Sequence, residues 1–269
     1  MATTRQRILI TNDDGIQAAG LLALRQALAP FADVVIVAPD RPRSACGHSI
    51  TLHKPLRLTP TRLLDGSDAY ASNGTPSDCV SLALLDVMKD APPDLVIAGV
   101  NHGPNLGWDL TYSGTVSAAM EAAISGRPAF AISVAWRLER VVEEEEGPAP
   151  EVDYRPAASF AAWLARQVAE EGLPPHTLLN VNVPIGPLQG VQVTRQGARR
   201  YPGRVVRRQD PAGRAYYWIH GTQPEQELVP GTDVYAVARG YISVMPVQLD
   251  LTDHQLVERL QKWQFPTPG

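Results

Sequence analysis

The feature that most constrains the fold is a short apolar run, Ile8 to Ile10, closed by Thr11-Asn-Asp-Asp-Gly15. A brief run of β-branched and apolar residues that ends on a glycine reads as a buried parallel strand. Asp13 and Asp14 then stand at the carboxyl end of that strand, where open α/β sheets bind ligands. Neighbouring side chains on a strand point to opposite faces. Both carboxylates can face one site only if the chain turns there, and Gly15 permits the turn. Two like charges this close call for a compensating cation, and a hard divalent metal is the simplest candidate. The plain alternative is that one Asp caps a helix starting near Ile16 and the other is solvated.

Downstream the chain alternates strand and helix. Leu21, Leu22, Leu24, Ala27 and Leu28 lie at helical spacing within 16–29, and Pro30 closes that helix. Asp33 to Pro39 is a second buried strand, so the first three elements form a βαβ unit with a right-handed crossover. The following loop, Asp40 to Thr51, is polar and leaves a strand's carboxyl end, which puts Ser44 beside the Asp pair. Thr51 to Pro60 and Asp68 to Ser72 read as short extended segments. Thr75 or Ser77 caps a helix reaching Lys89, with Pro76 in its first turn. Asp94 to Val100 and Arg127 to Val134 are further core strands. Pro156 to Glu171 is an amphipathic helix with Phe160, Trp163, Leu164 and Val168 on one side, and Thr177 to Val183 is another strand.

The second concentration of chemistry follows the strand at 94–100. Asn101 offers a neutral amide oxygen at that strand's end. Gly99, Gly103 and Gly107 mark a loop that needs backbone freedom. Tyr112-Ser-Gly-Thr-Val then opens an Ala-rich helix, and Ser113 and Thr115 with the free amides there form a phosphate-sized anion site. A capped helix without a ligand is the equally simple alternative.

From Gly186 the style changes. Val191–Thr194, Tyr216–Ile219 and Asp233–Val237 read as short extended pieces among Gly, Pro and five arginines, Arg199, Arg200, Arg204, Arg207 and Arg208. Those arginines steer anions, pair with a neighbouring subunit, or form a solvated basic loop. Ser243 to Leu251 is a last strand and His254 to Gln264 a closing helix. The expected organisation is a Rossmann-like core over 1–185, with a mostly parallel sheet flanked by helices. A β-rich extension over 186–269 returns to the core or to a partner subunit. Glu143 to Glu146 reads as a solvated loop.

At 269 residues, 44% hydrophobic and 19% charged, the chain suits one large soluble α/β domain with additions. A net charge of −4 leaves no footprint for duplex nucleic acid or an anionic membrane. Cys46 and Cys79 lack zinc spacing and are too few for a disulfide scaffold, and no signal or membrane-spanning segment stands out, so a cytoplasmic protein with reduced thiols is expected.

Asp13, Asp14, Ser44 and Asn101 are all hard oxygen donors, which favours Mg²⁺ or Mn²⁺ over zinc. A metal beside a helix-start anion site is equipment for phosphoryl transfer. No P-loop signature and no dinucleotide fingerprint after the first strand occurs, nor the Asp-x-Asp of aspartyl-nucleophile phosphatases, so metal-activated water is the leading mechanism. A receiver-like or ligand-binding module without turnover is the rival reading, but a receiver needs an acceptor Asp where this chain has Asn101.

Five ordered segments, Ile10-Thr-Asn-Asp-Asp-Gly-Ile16, Arg43-Ser-Ala-Cys-Gly-His-Ser-Ile-Thr51, Asn73-Gly-Thr-Pro-Ser-Asp-Cys79, Gly99-Val-Asn-His-Gly-Pro-Asn-Leu-Gly107 and Tyr112-Ser-Gly-Thr-Val-Ser-Ala-Ala-Met-Glu121, resemble the SurE family of nucleotidases. The resemblance implies a Rossmann-like core and a metal-dependent phosphatase for nucleoside 5′- and 3′-monophosphates, with short polyphosphate a substrate of some members. It implies one divalent ion per subunit, and homodimers or homotetramers that exchange C-terminal elements. By motif position, Asp13, Asp14, Ser44 and Asn101 would hold the metal. Asn73, Asn101, Ser113, Gly114 and Thr115 would bind phosphate or order the site, and Asp13, Asp14, Asn101 and Ser113 would serve catalysis. Asp109 is a weaker pocket candidate, and Asp250 and His254 would give structural support.

Overall fold

The computed structural model describes residues 5–136, 151–221 and 224–266. The Glu143–Glu146 run lies outside them. In chain order the elements are β1 (Gln6–Thr11), α1 (Ala19–Leu28), β2 (Ala32–Pro39), β3 (Leu58–Arg62), β4 (Asp68–Ser72), α2 (Pro76–Leu82) with a π-turn to Val87, β5 (Leu95–His102), a 3₁₀ turn (Gly107–Thr111), α3 (Gly114–Ile124), β6 (Ala129–Ala135), α4 (Arg155–Glu171), β7 (Thr177–Pro184), β8 (Gly190–Val193), β9 (Arg199–Arg200), β10 (Gly203–Gln209), β11 (Ala215–Gly221), β12 (Glu225–Gln226), α5 (Asp233–Ala238), β13 (Tyr241–Gln248) and α6 (His254–Leu260).

One nine-stranded sheet runs β3-β4-β2-β1-β5-β6-β7-β13-β8. Its six central strands, β4 to β7 across β1, pair in parallel, which is the doubly wound 3-2-1-4-5-6 order. β3 pairs antiparallel at one edge and β13 antiparallel to β7 near the other, so the sheet is mixed at its margins.

The central strands are continuous apolar runs because both faces are covered. Ile8, Ile10, Ile36, Leu95, Ile97, Phe130 and Ile132 pack in one core with α1 and α4. Leu9, Val37, Val96, Ala98, Ala129 and Ala131 pack in a second core with α2 and α3. β6 makes the asymmetry plain. Its Phe130, Ile132 and Val134 face the first core, while Ala129 and Ala131 face Ala118, Ala119, Ala122 and Ala123 of α3. Small residues on both sides let α3 lie close to the sheet. Phe130 is fully buried, so Phe130→Ala should cost about 3–5 kcal/mol of stability by transfer and cavity effects, measurable by denaturant titration.

Three local expectations are corrected. Asp233 to Val237 is a helix, not a strand. The Thr232 hydroxyl caps it by accepting from the Tyr235 amide at 3.3 Å, and Val234 and Val237 pack one turn apart against Leu106 and Ala135. Trp163 is half-exposed beside Phe160. The buried stripe of α4 is Ala157, Ala161, Leu164, Ala165 and Val168, whose alanines allow close approach to α1. Residues 51–57 form no strand, and only Leu58–Arg62 pairs with β4. β8 and β13 join the main sheet, α5 packs beneath β13 and β7, and β10–β11 is a separate hairpin.

Candidate active site at the switch point of the sheet

In a sheet of this order the crevice opens where the winding reverses, between β1 and β5. Asp13 and Asp14 leave β1 there, and Asn101 stands near the end of β5, where pairing with β6 shifts register between Ala98 and Asn101. The turn after β1 is shaped by Asn12. Its side-chain amide donates to the Gly15 carbonyl at 2.9 Å and its oxygen accepts from the Gly15 amide at 3.2 Å. Gly15 has φ +98°, and a Cβ on it would meet the Arg41 backbone at 3.1 Å. That closed ring lets adjacent carboxylates converge instead of facing opposite ways.

The Ser44 loop is tied to both neighbours. The Arg43 amide donates to the Asp13 carbonyl at 2.7 Å and the Gly47 amide to the Tyr112 carbonyl at 3.0 Å. The Arg43 guanidinium donates to the Asn73 carbonyl at 2.7 Å. Ser113 caps α3 by accepting from the Val116 amide at 3.0 Å, which leaves its own proton free for an anion. α3 starts against Asp13: a Cβ on Gly114 would sit 2.8 Å from the Asp13 Cβ.

A cavity of about 420 Å³ is lined by Asp13, Asp14, Ser44, Asn101 and Ser113, together with His102, Asn105, Asp109, Tyr112 and Tyr201. Asp13, Asp14, Ser44, Asn101 and Ser113, with the weaker pocket candidate Asp109, therefore meet in one place. Gly114 lies just behind, against Asp13. The resemblance implied that Asn73 and Thr115 bind phosphate or order the site, and their contacts suit the ordering role. Thr115 is fully buried and its hydroxyl donates to Asp13 Oδ1, so it positions the carboxylate and leaves the anion to Ser113. Asn73 does not line the cavity. Its side-chain oxygen accepts from the Arg57 amide at 2.8 Å, and its carbonyl anchors Arg43 and so the Ser44 loop.

Burial raises the Asp13 carboxyl to about 6, against the pull of the Thr115 bond and with a further push from the Asp14 charge. Burial also raises Asp14, countered by the His102 amide, which donates to Asp14 Oδ2 at 2.9 Å. The pocket thus disfavours its own negative charge, an environment that a bound cation reverses. Among the described residues no three His, Cys, Asp or Glu form a metal cluster. Neutral oxygens must complete any cation site. The Asn101 amide nitrogen is committed to the Gly103 carbonyl at 2.8 Å, which leaves its oxygen as donor, and Ser44 is exposed at the rim. Two carboxylates with neutral oxygens fit a hard ion that keeps several waters.

The sequence reading missed the supports. Asn180 and Asn182 are fully buried on β7 and both donate to the Asn105 carbonyl at 2.9 Å, holding the Gly-rich loop. Two asparagines at alternate positions of an apolar strand were the available signal, because buried amides demand partners. Asp233 accepts from the Gly107 and Gly197 amides at 2.8 Å each, clipping that loop to the C-terminal segment. Arg199 is 3% exposed and ion-paired to Asp109 at 2.9 Å, not solvated, whereas Arg204, Arg207 and Arg208 are exposed. Nothing in the sequence separates Arg199 from those others. Burial raises Asp109 to about 6, with the Arg199 charge pulling down. Asp250 and His254 pair with each other at 2.8 Å on the surface.

A doubly wound α/β protein whose switch-point crevice gathers two carboxylates, an amide oxygen and a helix-capping serine belongs with the metal-assisted phosphate-handling enzymes. The model of the family Survival protein SurE matches residues 8–203, and the chain belongs to that family. It is 48% identical over 258 residues to a protein of Syntrophotalea carbinolica named 5′-nucleotidase SurE, covering 96% of this chain and 97% of that relative. It is 49% identical over 261 residues to the 5′-nucleotidase SurE of Geobacter sulfurreducens, covering 96% and 94%. The crystal structure of the SurE protein from Aquifex aeolicus superposes with a TM-score of 0.77 at 40% identity, covering 95% of this chain and 98% of that one.

Proposed function

We propose that this chain is a divalent-metal-dependent phosphomonoesterase that hydrolyses nucleoside 5′- and 3′-monophosphates, and short polyphosphate, to release phosphate. The observation that carries this is the convergence of Asp13, Asp14, Ser44, Asn101 and Ser113 on one cavity. Membership beside relatives named 5′-nucleotidase supports it.

In this reading Asp13, Asp14, Ser44 and Asn101 hold one Mg²⁺ or Mn²⁺. The ion, when bound, supplies positive charge to a phosphate oxygen and acidifies a water. Thr115 and the Asn12 ring fix where the Asp13 and Asp14 oxygens stand. The Ser113 hydroxyl, with the Gly114 amide that has no acceptor within its helix, binds the remaining phosphate oxygens and offsets charge that develops as phosphorus is attacked. Asn73 acts one step removed, through Arg43 and the Ser44 loop.

Phosphate release from a panel of nucleoside 5′- and 3′-monophosphates and short polyphosphate tests the proposal. Chelation should abolish release, and Mg²⁺ or Mn²⁺ should restore it. No release under either metal would overturn the enzymatic reading.

The same reading takes 1–185 as the catalytic core and 186–269 as the extension that reaches a partner in a homodimer or homotetramer. Support comes from large exposed apolar residues on β11 and around α6, including Trp218, Ile219, Leu251, Trp263 and Phe265. A monomer in sedimentation at micromolar concentration would count against it. Two free cysteines fit a reducing, cytoplasmic setting. No helix among the described residues is long and apolar enough to cross a membrane.

A further inference from the structure

The cavity that holds Asp13, Asp14, Asn101 and Ser113 is also lined by two tyrosines that the phosphatase chemistry leaves without a task, Tyr112 and Tyr201. Tyr112 directly precedes Ser113, so its ring stands one residue from the proposed phosphate site. It is 67% exposed, and its backbone carbonyl is fixed by the Gly47 amide. Tyr201 reaches the same cavity from the distant β9 segment and is 46% exposed. Its orientation is built, not incidental. The Tyr201 hydroxyl donates to Asp109 Oδ2 at 3.2 Å, the buried Arg199 holds that same oxygen, and the Arg199 guanidinium lies 5.5 Å from the Tyr201 ring centroid. An ion pair buried this deeply is costly to form and gives directional anchoring in return. Here it steadies an aromatic ring at the mouth of the site.

We infer that Tyr112 and Tyr201 form the nucleoside subsite, receiving the base of the substrate against their rings while the phosphate lies toward Ser113. Stacking accepts any base because every base has a π-face. The subsite therefore favours nucleotides over small phosphate esters without choosing strongly among bases. Asp109 and Arg199 act through Tyr201 as positioning residues. This inference rests on the phosphomonoesterase reading and deepens it.

The test is the ratio of kcat/KM for adenosine 5′-monophosphate to that for glycerol 2-phosphate, with metal supplied. Tyr112→Ala and Tyr201→Ala should each lower the ratio roughly 10-fold or more, chiefly through the nucleotide's KM, in line with base–aromatic stacking strengths. Tyr112→Phe, which keeps the ring, should stay within about two-fold of the parent, whereas Tyr201→Phe, which keeps the ring but loses its bond to Asp109, should fall between the parent and Tyr201→Ala. A ratio unmoved by the alanine variants, whatever happens to absolute rates, overturns the subsite. A parent that hydrolyses both esters equally well overturns the subsite and leaves the phosphatase standing. A parent that hydrolyses neither overturns the phosphatase reading itself.

Discussion

Asp14→Asn should lower kcat/KM for a nucleoside monophosphate at least about 10³-fold, an effect of about 4 kcal/mol on the barrier, and leave the fold intact. The argument has two halves. Asp14 supplies one of the two carboxylates among the proposed metal ligands, so its loss removes half of the negative charge that those ligands offer a divalent ion. Its one internal bond, from the His102 amide, is kept, because an asparagine oxygen at the same place accepts it equally well. Burial already disfavours the Asp14 charge, so neutralising it removes no stabilising ion pair. Metal affinity by calorimetry should fall together with turnover while the thermal midpoint holds or rises. A variant that retains turnover within ten-fold of the parent would rule out Asp14 as a ligand.

Gly114→Ala should cost activity roughly 10²-fold, the scale expected when a reacting group is displaced by about 1 Å. Two effects compete at this position. Alanine is the better helix former by up to about 1 kcal/mol, which favours the variant. Against that, the new methyl would stand 2.8 Å from the Asp13 Cβ, 3.0 Å from its Oδ2 and 3.0 Å from the Cys46 sulfur. None of these is the free end of a flexible chain, since Asp13 is held by Thr115 and by the Arg43 amide. The clash therefore moves the carboxylate. The prediction is lost kcat with a near-normal melting temperature, and unchanged kcat would show that this close approach does not set the Asp13 position.

The central fold was readable because the core strands are largely apolar on both faces, so β1, β2, β5 and β6 stand out as apolar runs and β7 as one broken only by Asn180 and Asn182. The candidate site was readable where polar residues sit at the end of a strand or the start of a helix: Asp13 and Asp14 after β1, Asn101 near the end of β5, and Ser113 capping α3. It was not readable where function depends on which neighbour a side chain meets. Thr115 looks like a second phosphate hydroxyl near Ser113, yet its place two residues further along, inside α3, points it at the buried Asp13. Asn73 carries a motif amide, but β4 ends so that the amide meets the Arg57 backbone. Asp233 to Val237 is a short, mostly apolar run with two valines and a tyrosine, which reads like a strand. Only the Thr232 cap and the one-turn spacing of Val234 and Val237 mark it as a helix, and short segments of that kind fit both periods. Arg199 differs from its exposed neighbours in being buried against Asp109, ninety residues away in the chain.

The Asp233 clip bears on the order in which the molecule acquires its parts during translation. Every ligand proposed for the metal, and Ser113, leaves the ribosome within the first half of the chain. The carboxylate that fastens Gly107 to Gly197 emerges later, roughly 6–24 s after Ser113 at ordinary elongation speeds. A nascent chain thus holds its charged groups before it holds the clip that fastens the loop beside them, and the phosphate-handling crevice is completed by a segment made well after its ligands.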